Sequence, residues 1–173
     1  MSQPQGIDVA YPQGSNYNWR QWRGKISFGM CKATEGLTIT DPAFVSNWNA
    51  MWELNRLMPR FAYHFFHASD DPAHQAERFV ATVKPDGLLP GDNLVLDLEA
   101  TGSSGSNDGV AASVVAEYAR TFMNTANGLA PDHRESPQPG CRRTSTGPSP
   151  PESSAQRCPP STGTLSSISG MLP

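Results

Sequence analysis

The last 38 residues of this 173-residue chain contain no aromatic side chain. All fifteen aromatics lie at or before Phe122, and 25 of the final 38 residues are Pro, Ser, Thr or Gly. Such a stretch cannot bury enough apolar surface to offset the entropy of ordering it. It also holds half of the 16 prolines, and it contributes to a low hydrophobic share (37%) and a low charged share (17%) for the whole chain. The sequence therefore divides into a globular stretch, residues 1–135, and a Pro/Ser-rich tail, residues 136–173, expected to be disordered.

Other absences narrow the field. No apolar run approaches the length of a membrane span, so none is expected. The opening MSQPQGIDVAYPQG has neither a basic region nor an apolar one, so no secretory signal is expected either. Of the three cysteines, Cys31 sits in an apolar run while Cys141 and Cys158 lie in the tail. They form no disulfide framework and lack metal-site spacing. Residues 1–135 carry ten Lys and Arg against fifteen Asp and Glu, a net of −5, whereas the tail is at +2. An acidic domain argues against nucleic acid as a partner. No serine occupies a G-x-S-x-G elbow, and Gly102–Gly109 (GSSGSNDG) lacks both the spacing and the lysine of a phosphate loop. It reads instead as a loop at a rim. No cofactor and no metal site are expected, and the chain is expected to be monomeric.

What is present is an alternation. Gln5–Ala10 and Lys25–Ala33 read as strands, with a helical turn at Asn18–Arg23 between them. A helix follows over Thr40–Asn55, capped by Thr40 or Asp41, with Phe44, Val45, Trp48, Met51 and Trp52 at helical spacing. Pro59–His67 is a strand. Asp71 and Pro72 open the next helix, Asp92–Ala100 is a strand, and a helix runs from about Val110 to Asn127. The polar strand ends at Asp8, Lys32, His64 and Asp97 are 24, 32 and 33 residues apart, the length of one βα unit. Repetition of that kind implies parallel strands joined by helices, in a doubly wound sheet or a β/α barrel, with chemistry at the C-terminal strand ends.

The chemistry-bearing residues sit at those ends. In Asp97-Leu98-Glu99 the two acids are two apart on a strand and share a face, while Leu96 and Leu98 turn toward covering helices. Two facing carboxyls repel each other and raise one pKa, the condition acid–base chemistry needs. The alternative is a pair of solvated acids at a strand end. Asp8 adds a third carboxylate on the same rim. Lys32 and Glu35 (KATEG) form either a charge network lining the site or a surface ion pair beside a glycine turn. Tyr63 is either a hydrogen-bond donor to the site or a half-buried core tyrosine. His64 and His67 have HxxH spacing, but on a strand such residues face opposite sides, which disfavours a metal. Trp19, Trp22, Trp48 and Trp52 read mostly as packing residues, with room for one to stack on a sugar at the rim.

Six short motifs occur in order: GIDVAYPQG (6–14), the Trp19/Trp22 pair, KATEG (32–36), D-P-A-F-x-x-N-W (41–48), AYHF (62–65) and LDLEA (96–100). Together they resemble glycoside hydrolase family 25, the Chalaropsis-type lysozymes or N-acetylmuramidases, over roughly residues 5–134. The resemblance implies an α/β fold of the TIM-like (β/α) barrel type, here incomplete, with about the first four βα units. It implies cleavage, with retention, of the β-1,4 bond between N-acetylmuramic acid and N-acetylglucosamine in peptidoglycan glycan strands. By resemblance Glu99 is the general acid. Asp97 is its partner, orienting the substrate acetamido group or stabilising charge. Asp8 is a supporting carboxylate and Tyr63 the tyrosine near the reacting sugar. Lys32 and Glu35 are expected beside the substrate. Whether Asp97 or the substrate acetamido group is the nucleophile stays open.

The resemblance fades after Arg134, where family members continue with further strands. The tail is either a natural Pro/Ser linker or, the expectation taken here, an out-of-frame reading of a GC-rich gene. In the second case another reading frame beyond codon 134 restores barrel strands. An incomplete barrel of this kind is expected to be marginally stable and weakly active or inactive. The substrate places the protein outside the cell or at the wall, although no signal segment is seen.

Overall fold

The computed structural model describes residues 3–100 and 107–130, together with the backbone of Ile168–Ser169. Apart from Ile168–Ser169, residues 136–173, where disorder is expected, lie outside the described residues, as does most of the rim loop at Gly102–Gly109. Within them the chain is an α/β structure built on a largely parallel sheet. Its elements are β1 (Gly6–Val9), β2 (Phe28–Glu35), β3 (Ile39–Thr40), α1 (Phe44–Leu54), β4 (Arg60–Phe65), α2 (Pro72–Val83), β5 (Asn93–Leu98), α3 (Ala112–Leu129) and β6 (Ile168–Ser169). Short 3-10 turns at Tyr11–Gln13 and Trp19–Trp22 join β1 to β2.

The sheet order is β1-β2-β4-β5-β6, every neighbour parallel, with β3 folded back antiparallel on β2. Strand order follows chain order without the reversal a doubly wound sheet requires. Right-handed crossovers in such an order carry every helix to one face. That face is sealed. Val9, Cys31, Ala33, Ala62, Leu94 and Leu96 of the strands pack with Phe44, Trp48 and Met51 of α1, Phe79 and Val83 of α2, and Phe122 of α3. The opposite face is only partly covered. Phe28, Met30 and Phe61 are half-buried there, with Phe28 and Phe61 in edge-to-face contact at 5.5 Å.

Local chemistry explains the element ends. The Asp71 Oδ1 accepts from the backbone N–H of Ala73 and His74, both at 2.9 Å, and Pro72 supplies the first helical φ of α2. The Asp41 Oδ1 accepts from Ala43 N at 2.8 Å just ahead of α1, which then buries Phe44, Trp48 and Met51 along one stripe.

Three features differ from the sequence reading. First, β2 starts and ends later than expected, so Lys32 lies inside the strand rather than at its end. The pairing of β2 with β4 shifts register between Lys32 and Thr34, which marks a β-bulge. Second, His64, read as a polar strand end, does not reach the cleft, which β4 lines with Tyr63 and Phe65. The His64 ring is wholly buried under the helices, between the Thr34 Oγ1 (2.7 Å from Nδ1) and the Gln75 Oε1 (3.0 Å from Nε2). It stacks on Phe122 at 4.9 Å. Burial pulls its pKa down to about 4, so it is a neutral packing residue at physiological pH. Third, β3 was not foreseen.

The base of the sheet is closed by a buried ion pair. Arg60 donates from Nε to the Asp92 Oδ1 at 2.8 Å and from Nη2 to the Asp92 Oδ2 at 2.5 Å, and its guanidinium lies 3.9 Å from the centroid of the Trp48 ring. Arg60 also donates to the carbonyls of Trp48 (3.2 Å) and Gly87 (3.1 Å). The charged groups thus find partners away from water, as burial demands.

Candidate active site

A cleft of about 400 Å³ opens at the C-terminal ends of β1, β2, β4 and β5. Asp8, Lys32, Tyr63, Phe65, Asp97 and Glu99 line it, and strand register explains their meeting. Lys32 pairs with Tyr63, Tyr63 with Val95, and Phe65 with Asp97, so parallel pairing aligns side chains from separate strands in rows. Asp8 stands one row lower, opposite Met30. Five of the six residues expected at the site therefore line a single cleft.

The sixth, Glu35, does not line it. Its carboxylate accepts from Lys32 and lies 3.3 Å from the His67 Nε2, while the His67 Nδ1 is 3.7 Å from the Asp70 carboxylate. Burial alone would raise the Glu35 pKa, but the hydrogen bond and charge of Lys32, with His67, hold it below the usual value. The Lys32 ammonium also sits 4.8 Å from the centroid of the Phe65 ring. Gly36 makes this cluster possible. Its φ is +47°, and a Cβ there would come within 2.8 Å of the His67 Nδ1.

Electrostatics distinguish the carboxyls. The Asp97 pKa is pushed up to about 6, first by burial and then by the Glu99 charge, against the pull of Lys32. Asp8 keeps an exposed edge, yet its pKa is pushed up to about 7 by burial, then by Asp97 and Glu99. A Val9 backbone hydrogen bond and the Lys32 charge oppose that rise. The repulsion expected at the acid pair is thus present at Asp97 and extends to Asp8. The Tyr63 phenol is raised by burial and by Asp8, Asp97 and Asp41, so it remains a neutral O–H donor.

Glu99 lies one residue beyond the end of β5, and its position is set by a neighbour. The Asn107 side chain donates from Nδ2 to the Glu99 carbonyl at 3.0 Å and accepts from Ala68 N at 3.1 Å. It ties the segment after β5 to the segment after β4. Nothing periodic marks Asn107 in the sequence. Asp41 was read only as a helix cap, but it also lines the cleft, and its Oδ2 accepts from Tyr11 N at 2.8 Å. None of the four tryptophans lines the cleft; the aromatic at the rim is Tyr11.

Among the described residues, no group of three or more His, Cys, Asp or Glu is placed to hold a metal ion. His64 bonds Gln75 beneath the helices, while His67, two residues beyond β4, lies against Glu35. Among the same residues, no helix is long and apolar enough to cross a membrane.

A largely parallel α/β sheet with acids converging at its C-terminal strand ends defines the general architecture of α/β enzymes whose chemistry sits at strand ends, with the carboxyl groups that glycoside cleavage employs. Residues 7–131 match Glycosyl hydrolases family 25, and the chain belongs to that family. It is 33% identical over 126 residues to the N,O-diacetylmuramidase of a Chalaropsis species, a match covering 69% of this chain and 58% of the relative. In structure it resembles the muramidase of Trichobolus zukalii, with a TM-score of 0.62 and 26% identity over 75% of this chain and 62% of that one. It also resembles a bacterial lysozyme from Streptomyces coelicolor, with a TM-score of 0.63 and 27% identity over 74% of this chain and 59% of that one. The chain thus spans a little over half the length of these proteins.

Proposed function

We propose that the cleft binds peptidoglycan glycan strands and cleaves the β-1,4 bond between N-acetylmuramic acid and N-acetylglucosamine. The reading rests above all on the convergence of Asp8, Asp97 and Glu99, from two strands, on one cleft that also holds Lys32 and Tyr63. Three acids crowded together cost stability, since each resists ionisation of the others. Glycoside cleavage needs such crowding: one carboxyl must keep a proton for the leaving oxygen, and another must stay negative beside an oxocarbenium-like transition state.

In this reading Glu99, at the open end of β5, protonates the leaving oxygen. Asp97 orients the substrate acetamido group or stabilises charge at the reacting carbon. Asp8 supports both from β1, and the Tyr63 hydroxyl donates to the substrate. Lys32, pinned by Glu35, limits how far the carboxyl pKa values rise. We further propose that the sheet forms the first part of a β/α barrel, a reading supported by strand order that follows chain order with helices on one side.

The test uses purified peptidoglycan and the full chain. Release of reducing sugar should fall by about 10²-fold or more in Glu99→Gln, with glycan binding retained. Hydrolysis that survives Glu99→Gln unchanged would sink the assignment. Binding without cleavage by the unaltered protein would point to a glycan-holding role instead.

A further inference from the structure

One wall of the cleft takes no part in the acid–base chemistry. Tyr11 is 60% exposed and Ile39 is 48% exposed, and both line the cleft with the exposed prolines Pro12 and Pro42. Large apolar groups left in water gain nothing for the fold. These are also held firmly in place. The turn bearing Tyr11 is closed by Gln13 N to the Ala10 carbonyl (3.0 Å), Gly14 N to the Tyr11 carbonyl (2.8 Å) and Ala10 N to the Gln13 Oε1 (2.8 Å). It is then fastened to buried Asp41 through Tyr11 N. The hairpin bearing Ile39 is clamped from α2. Arg78 donates to the carbonyls of Ile39 (3.0 Å) and Thr38 (3.1 Å) and to the Thr40 Oγ1 (2.6 Å).

The cleft therefore has two chemically different parts. Asp97 and Glu99 stand at the end of β5, while the apolar wall is formed by the turn after β1, by β3 and by Pro42 just beyond it. Three strand spacings separate β1 from β5, roughly 14 Å along the sheet. That is room for more than one sugar ring. A pyranose presents a face of C–H groups and a rim of hydroxyls. It suits a rigid aromatic surface whose polar neighbours lie to one side.

We propose that Tyr11 and Ile39, with the flanking prolines, form a stacking subsite for an N-acetylhexosamine ring of the same glycan strand, away from the bond that is cut. Rigid walls of this kind raise affinity by lowering the cost of ordering on binding. Asp41 and Arg78 are the positioning residues of this subsite. The inference rests on the glycan reading above, and its test is chosen to separate the two.

The experiment measures calorimetric affinity for β-1,4-linked N-acetylglucosamine oligomers, from dimer to hexamer, in a Glu99→Gln background that suppresses turnover. Tyr11→Ala should weaken the hexamer by about tenfold, the equivalent of losing roughly half of an aromatic burial. The dimer should be affected less, and Tyr11→Phe should retain affinity because the ring is kept. Ile39→Ala, on the same wall, should weaken the hexamer in the same sense, and circular dichroism checks that each variant is folded. Unchanged hexamer affinity in folded Tyr11→Ala overturns the subsite, as does a loss in Tyr11→Phe equal to that in Tyr11→Ala. If the unaltered protein binds the hexamer but does not cleave peptidoglycan, the catalytic reading fails and the subsite stands. If it cleaves peptidoglycan but binds no oligomer, the subsite fails and the catalytic reading stands.

Discussion

Lys32 and Glu35 form an ion pair within one strand although they are three residues apart. On a regular strand such residues face opposite sides. The bulge between Lys32 and Thr34 adds one residue to the alternation. It lets Cys31, Ala33 and Thr34 all turn into the helix-covered core, each at 0% exposure, while Lys32 and Glu35 meet on the other side.

That placement makes Lys32 the nearby positive charge that offsets the rise at both Asp97 and Asp8. In Lys32→Met the Asp97 pKa should therefore climb above its present value of about 6. Carboxyl carbon shifts followed by NMR across pH report it directly. An Asp97 titration that stays in place or moves down contradicts the arrangement.

The raised carboxyls also carry a stability signature. A carboxyl whose folded pKa exceeds its unfolded value holds its proton more tightly in the folded state. Stability then falls as pH rises from the unfolded pKa through the folded one. For Asp8 that window runs from about 4 to about 7. The thermal midpoint of Asp8→Asn should match the unaltered protein below this window and exceed it above. The gap should be roughly one to a few degrees, small because Asp8 keeps an exposed edge. Glu35 has the opposite sign, its contribution being lost as pH falls through its lowered pKa. Only the difference between the two proteins isolates Asp8.

At the base of the sheet, Asp92→Ala should be costly. It leaves Arg60, 2% exposed, without its carboxylate partner in a dry setting. A destabilisation of about 3–5 kcal/mol is expected from stranding such a charge, read as a lower urea midpoint. A change under about 1 kcal/mol would mean that the carbonyls of Trp48 and Gly87 satisfy Arg60 by themselves.

Gly36→Ala should cost about 1–2 kcal/mol from its left-handed backbone alone. It should also displace His67, whose Nδ1 stands where the new methyl would go. A changed His67 imidazole resonance by NMR checks the second effect independently of stability.

The helices and main strands were legible because they are periodic. The stripe Phe44, Trp48, Met51 announces α1, and Asp71-Pro72 announces the start of α2. The acid pair Asp97 and Glu99 was legible from spacing alone, since residues two apart share a face of any strand. Tyr11 was not, because a single exposed turn has no period to read. Neither was the route by which Asn107 fixes Glu99, a contact between segments distant in sequence from Ala68.

The sequence by itself determined the alternation of strands and helices, the split between a core-forming stretch and an aromatic-free tail, and the presence of three acids near strand ends. Those follow from local patterns of apolar, polar and turn-forming residues. The tertiary structure decided which acids share a cleft, which neighbour of each strand residue faces it, and where a bulge resets the alternation. Strand register and helix packing settle those points, and both depend on residues far apart in the chain.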